Sequence, residues 1–142
     1  MSDLERAVKA VINDCLAVKS GEEVVVVCNP ATEDLAERLR HEAQAAGADG
    51  VLAVMDERGG HGVEPPDTIA AAMLKADVVL APTVQSLSHT AARKAATDAG
   101  GRAATLPGVT EEMLARVMSA DMAELRRRGA AVAEILTAGS QA

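Results

Sequence analysis

The chain has 142 residues, a formal net charge of −7, and no Phe, Tyr or Trp. That length fits a single α/β domain over 1–142. An acidic chain without aromatic rings offers neither the cations nor the stacking platforms that a nucleic-acid surface needs. No apolar run approaches the roughly 18 residues of a membrane span, and the charged start MSDLERAVKAV has no leader-like apolar stretch. A cytoplasmic protein with no membrane or nucleic-acid partner is expected. Cys15 and Cys28 are expected to be reduced thiols rather than a disulfide pair. Its core must come from Val, Leu, Ile, Met and Ala, whose small side chains make a buried partner surface plausible.

Ser2-Asp3-Leu4-Glu5 reads as a capping box. Leu4, Val8, Val11, Ile12, Cys15 and Leu16 then follow helical spacing, predicting a helix from Ser2 to Lys19 that Ser20-Gly21 ends. Glu23–Cys28 (EVVVVC) has four valines in a row, which marks a central strand covered on both faces. In the next turn either Asn29 caps a helix with Pro30 first, or Thr32 caps it after a short turn. That helix runs to Gly47. Gly50–Asp56 is the second strand, and 57–67 (ERGGHGVEPPD) is an irregular loop. Asp67 or Thr68 opens a helix through Lys75.

Asp77–Pro82 (DVVLAP) is the third strand. A hydroxyl-rich turn follows, and then an Ala-rich helix to Gly100. A short fourth strand (AATL) lies within 101–106. Thr110 caps a helix through Met118, and Ser119 or Asp121 starts a last one to about Leu136. Strands alternating with helices predict right-handed crossovers and a three-layer, Rossmann-like or flavodoxin-like parallel sheet in the order 2-1-3-4. The switch point then lies above Asn29–Thr32 and Thr83–Thr90.

Candidate ligand-binding residues are therefore Asn29, Thr32, Thr83, Ser86, Ser88 and His89. The hydroxyls could hold an anion at the start of the fourth helix, or they could simply cap it. The glycines of Gly59-Gly60-His61-Gly62 follow the second strand, not the first, so they fail the dinucleotide fingerprint despite Asp56 at the ribose position. His61 and Glu64 form a possible metal pair, short of the three or four ligands a zinc site takes. His61 and His89 meet only if their loops do. His41 lies mid-helix among charges. Cys28 ends a strand at the ligand edge and reads as a small buried residue. Arg126–Arg128 reads as a solvated face. No catalytic residue and no metal ligand set is assigned.

Five segments in order, VINDCLAVKSGEEVVVV, GGHGVEPP, ADVVLAPT, SLSHTAARKAATDAG and LPGVTEEMLARVMSAD, resemble the amino-terminal domain of metallo-aminopeptidases of the aminopeptidase T and S type, over about residues 7–136. The resemblance implies amino-terminal hydrolysis by a two-metal centre, with zinc or cobalt as the divalent cofactor. It also implies that the carboxylate and histidine ligands sit in a second, carboxyl-terminal domain. A related branch binds a single iron there and opens a pyridine ring. This sequence ends at ILTAGSQA, where that domain would begin, so no ligand position carries over. A scaffold domain inactive alone is expected, with a homo-oligomer or the catalytic domain as partner. The alternatives are a stand-alone small-molecule or anion binder, or a dimerisation module.

Overall fold

The computed structural model describes residues 1–141. Four parallel strands, β1 (Glu23–Cys28), β2 (Asp49–Val54), β3 (Val78–Ala81) and β4 (Arg102–Thr105), form one sheet in the order β2-β1-β3-β4. Val24 pairs with Gly50 on one side and Val78 on the other, and Val78 pairs with Arg102. The six helices are α1 (Asp3–Lys9), α2 (Glu33–Ala45), α3 (Asp67–Lys75), α4 (Ala91–Asp98), α5 (Glu111–Val117) and α6 (Met122–Ala138). The expected strand order is the observed one.

The alternation of side chains along a strand explains the valine run. Val24, Val26 and Cys28 face a cluster with Ala7, Ile12 and Leu39, which covers one side of the sheet with α1, α2 and α5. Val25 and Val27 face Ile69, Met73, Ala92 and Ala96, which belong to α3 and α4 on the other side. Edge strand β2 leaves Val51 and Val54 exposed. Gly100 ends α4 at φ +98°, a conformation in which a side chain would be strained.

The first helix departs from expectation. It is α-helical only to Lys9 and then widens into a π-turn over Ala10–Cys15. Leu16 N–H donates to Val11 O at 3.0 Å, and Val18 N–H donates to Ile12 O at 3.0 Å. The widening turns both Leu16 and Val18 into the core. Its end is held by a residue far along the chain. Arg102, on β4, donates to Leu16 O at 2.9 Å and grips both Glu22 oxygens at 3.0 and 2.7 Å. These charge-assisted bonds hold the Glu22 carboxyl below its ordinary range. Ser20-Gly21 consequently forms the turn into β1, with Gly21 N–H donating to Gly47 O at 2.9 Å.

Helix α6 is capped by Asp121, which accepts from Glu124 N–H at 3.0 Å. None of its residues is buried, and Leu125, Val132, Ile135 and Leu136 are 52–73% exposed. Arg127 and Arg128 pair with Glu124 on its surface, and Arg126 donates to Asp14 O at 3.3 Å. No helix of the described residues is long and apolar enough to cross a membrane.

Candidate functional site

The carboxyl edge of the sheet is a lattice of hydrogen bonds centred on Asn29. This residue is 2% exposed and sits directly after β1. Its Nδ2 donates to Met55 O at 2.9 Å, and its Oδ1 accepts from Val84 N–H at 2.8 Å. The side chain thus ties together the segments that follow three neighbouring strands, β2, β1 and β3. Thr32 closes the short 3₁₀ turn Pro30–Thr32, its Oγ1 accepting from Asn29 N–H at 3.1 Å. Both alternatives for this turn are partly realised: Asn29 opens it, and α2 begins one residue after Thr32.

The hydroxyl-rich turn after β3 is bonded within itself. Thr83, fully buried, donates to Gln85 O at 2.6 Å. Ser86 Oγ bonds Ser88 Oγ at 2.9 Å, and Ser88 Oγ lies 2.6 Å from Thr105 Oγ1 at the end of β4. Thr90 caps α4, accepting from Arg93 N–H at 3.2 Å. Arg93 Nε donates back to Ser88 O at 2.9 Å. His89 points to solvent. Thr105 and Met55 belong to this network without a local sequence signal, because only the strand order brings them to the turn.

His61 and Glu64 are placed apart from any metal role. Ser86 N–H donates to His61 Nδ1 at 2.9 Å. Both Glu64 oxygens accept from the first amides of α4, one from Ala91 N–H and the other from Ala92 N–H at 3.1 Å. A carboxylate there is favoured by the helix dipole and takes the position an external anion would use. Gly62 N–H also donates to Ser86 O at 2.9 Å. The loops after β2 and β3 therefore meet, crossing over the end of β1. His61 enters this contact while His89 stays outside it.

The metal centre that the family resemblance implies has no fitting donor set. Among the described residues no three His, Cys, Asp or Glu side chains converge. His61 Nδ1 and the Glu64 oxygens already serve backbone donors. His41 is exposed on α2 beside Arg40 and Glu37.

Cys28 is fully buried and its thiol is pushed up to about 11, first by burial and then by the charges of Glu33 and Glu37. Cys15 is exposed. At pH 8, iodoacetamide should modify Cys15 in the folded chain and reach Cys28 only after denaturation. Peptide mass spectrometry showing equal labelling would contradict this burial.

Two open grooves lie elsewhere. One of about 610 Å³ runs between α1 and α2, lined by Glu5, Lys9, Arg38 and His41. An apolar one of about 550 Å³ runs beside edge strand β4, lined by Cys15, Leu16, Leu106 and Met113.

Sheet order and helix placement define a doubly wound α/β domain, and its carboxyl edge is closed by its own side chains. No protein-family model matches the sequence. No curated protein matches it either. Among solved structures, the fold is similar to a 2,5-dihydroxypyridine dioxygenase from Pseudomonas putida KT2440 (TM-score 0.66, 16% identity), over 83% of this chain and 38% of that one. It is also similar to wild-type AmpT from Thermus thermophilus (TM-score 0.51, 18% identity), over 82% of this chain and 41% of that one. The chain spans about two fifths of the length of either structure.

Proposed function

We infer that this chain is a scaffold domain of a metallo-aminopeptidase-like protein and carries no catalytic centre of its own. One observation supports this reading above the others. About four-fifths of the chain superposes on part of a 2,5-dihydroxypyridine dioxygenase and about four-fifths on part of AmpT. A fold similar to both supports a framework role, since chemistry resides in sites added to a fold. The five sequence segments favour the aminopeptidase side of that pair. The implied divalent metal, zinc or cobalt, belongs in this reading to a partner region.

Purified chain incubated with leucyl-p-nitroanilide and added zinc or cobalt is expected to show no turnover above buffer. Metal-dependent hydrolysis would overturn the scaffold reading. The exposed Leu125, Val132, Ile135 and Leu136 of α6 support the further proposal that the scaffold has a partner surface, since exposed apolar side chains gathered on one element favour an interaction site. A second copy is one cover for it, and light scattering of the 142-residue chain that shows only monomer at high concentration counts against that occupant.

A further inference from the structure

The geometry points to residues 57–66 as a pH-sensitive strap that closes the crevice at the carboxyl edge and opens on acidification. This inference is independent of the aminopeptidase-like reading. The strap leaves β2, turns at Gly59 (φ +81°) and Gly62 (φ +78°), and reaches α3 through Pro65-Pro66. It is fastened at two points. At the first, Gly62 N–H donates to Ser86 O, and Ser86 N–H donates to His61 Nδ1, each at 2.9 Å. At the second, the Glu64 carboxylate accepts from Ala91 and Ala92 N–H.

Each fastening includes an acceptor that a proton would destroy. His61 Nδ1 can accept from Ser86 only while its lone pair is free, and Glu64 can accept from two amides only as a carboxylate. The sign is therefore the same for both. The closed state prefers the unprotonated groups, its stability is present at higher pH, and it is lost as pH falls. Imidazoles in general change charge between about pH 8 and 5, above the range of carboxylates, so the histidine fastening is the one placed to respond first.

The other charged or titratable groups are Asp56, Glu57 and Arg58 on and beside the strap, Asp67 on α3, His89 in the turn after β3, and Arg93 and Lys94 on α4. Arg58 donates to Glu64 O at 3.3 Å, and Arg93 donates to Ser88 O. Of these, His89 is the other imidazole, and it is exposed.

Closure is not free of strain. Beneath the strap lies a void of about 10 Å³ between Asn29, Met55, Gly60, Val63, Gln85 and Leu87. Gln85 Oε1 is buried there without a hydrogen-bond partner. An unsatisfied acceptor disfavours the closed state, so release of the His61 bond shifts the strap toward opening.

Amide exchange by NMR, corrected for intrinsic rates, tests the strap on the whole chain. Protection of Ser86 and Gly62 should fall about tenfold from pH 7.5 to 5.5, the ratio for a reference imidazole that can take up its proton only in the open form. Val26, in the centre of β1, should keep its protection. His61→Ala should give low protection at Ser86 at both pH values with no step. His89→Ala should retain the step. Glu64→Gln should lower protection at Ala91 and Ala92 and also retain it. The proposal fails if wild type shows no step, if the step survives His61→Ala, or if Val26 loses protection in parallel.

Discussion

Replacing Asn29 by alanine is expected to cost about 3 kcal/mol of stability, although the residue stands where a ligand-binding side chain was anticipated. Every polar atom of its amide is engaged, with Met55 O on one side and Val84 N–H on the other. Alanine would leave a donor and an acceptor unpaired at the edge of the core, and each such orphan costs about 1–3 kcal/mol. Urea unfolding of the variant should show a lower midpoint at unchanged slope. Asn29→Asp is the sharper test. It keeps the acceptor facing Val84 but sets a carboxylate oxygen against Met55 O. Its loss should exceed that of alanine at pH 7 and shrink toward pH 4, where a protonated carboxyl can donate again. A loss below about 1 kcal/mol for Asn29→Ala would mean that the tie across the three segments contributes little.

Leu80→Ala is expected to cost about 3 kcal/mol, within the usual range of about 2–5 for truncating a buried leucine. Leu80 is fully buried on inner strand β3, in the cluster shared with Ile12, Val26 and Leu114. A core without rings relies on close contact among small side chains, and the deleted methyls leave a cavity that fixed strands on both sides cannot fill. The matching control is Val54→Ala. Val54 is 44% exposed at the end of edge strand β2, so its change should stay within about 0.5 kcal/mol. Equal losses at the two positions would argue against a tightly packed centre.

Both results bear on the scaffold reading. Asn29, Thr83 and Thr90 are the buried polar side chains among the described residues, and all three hold backbone groups at one edge of the sheet. A domain that satisfies its own ligand edge in this way is suited to hold a shape. The strap adds a way to open that edge without disturbing the centre of the sheet.

The sequence by itself determined the layers and the strand order. EVVVVC could only be a two-faced inner strand, because four consecutive valines leave no face for water. Strands spaced by helices then required right-handed parallel crossovers. Local capping was equally legible, and Ser2, Thr90, Thr110 and Asp121 all cap the helices they precede. Such features depend on neighbours within a few residues. What only the tertiary structure decided depends on residues far apart in the chain. Arg102 reaches back 86 residues to Leu16 and fixes the end of the first helix, which periodicity alone extended to Lys19. Glu64 reaches 27 residues to the start of α4, and Asn29 bonds groups 26 and 55 residues away. These side chains read locally as a metal ligand and a helix cap. Their partners are backbone amides and carbonyls, which every residue carries, so no pattern of side chains announces them. Only strand order and loop closure select which amide or carbonyl lies within reach.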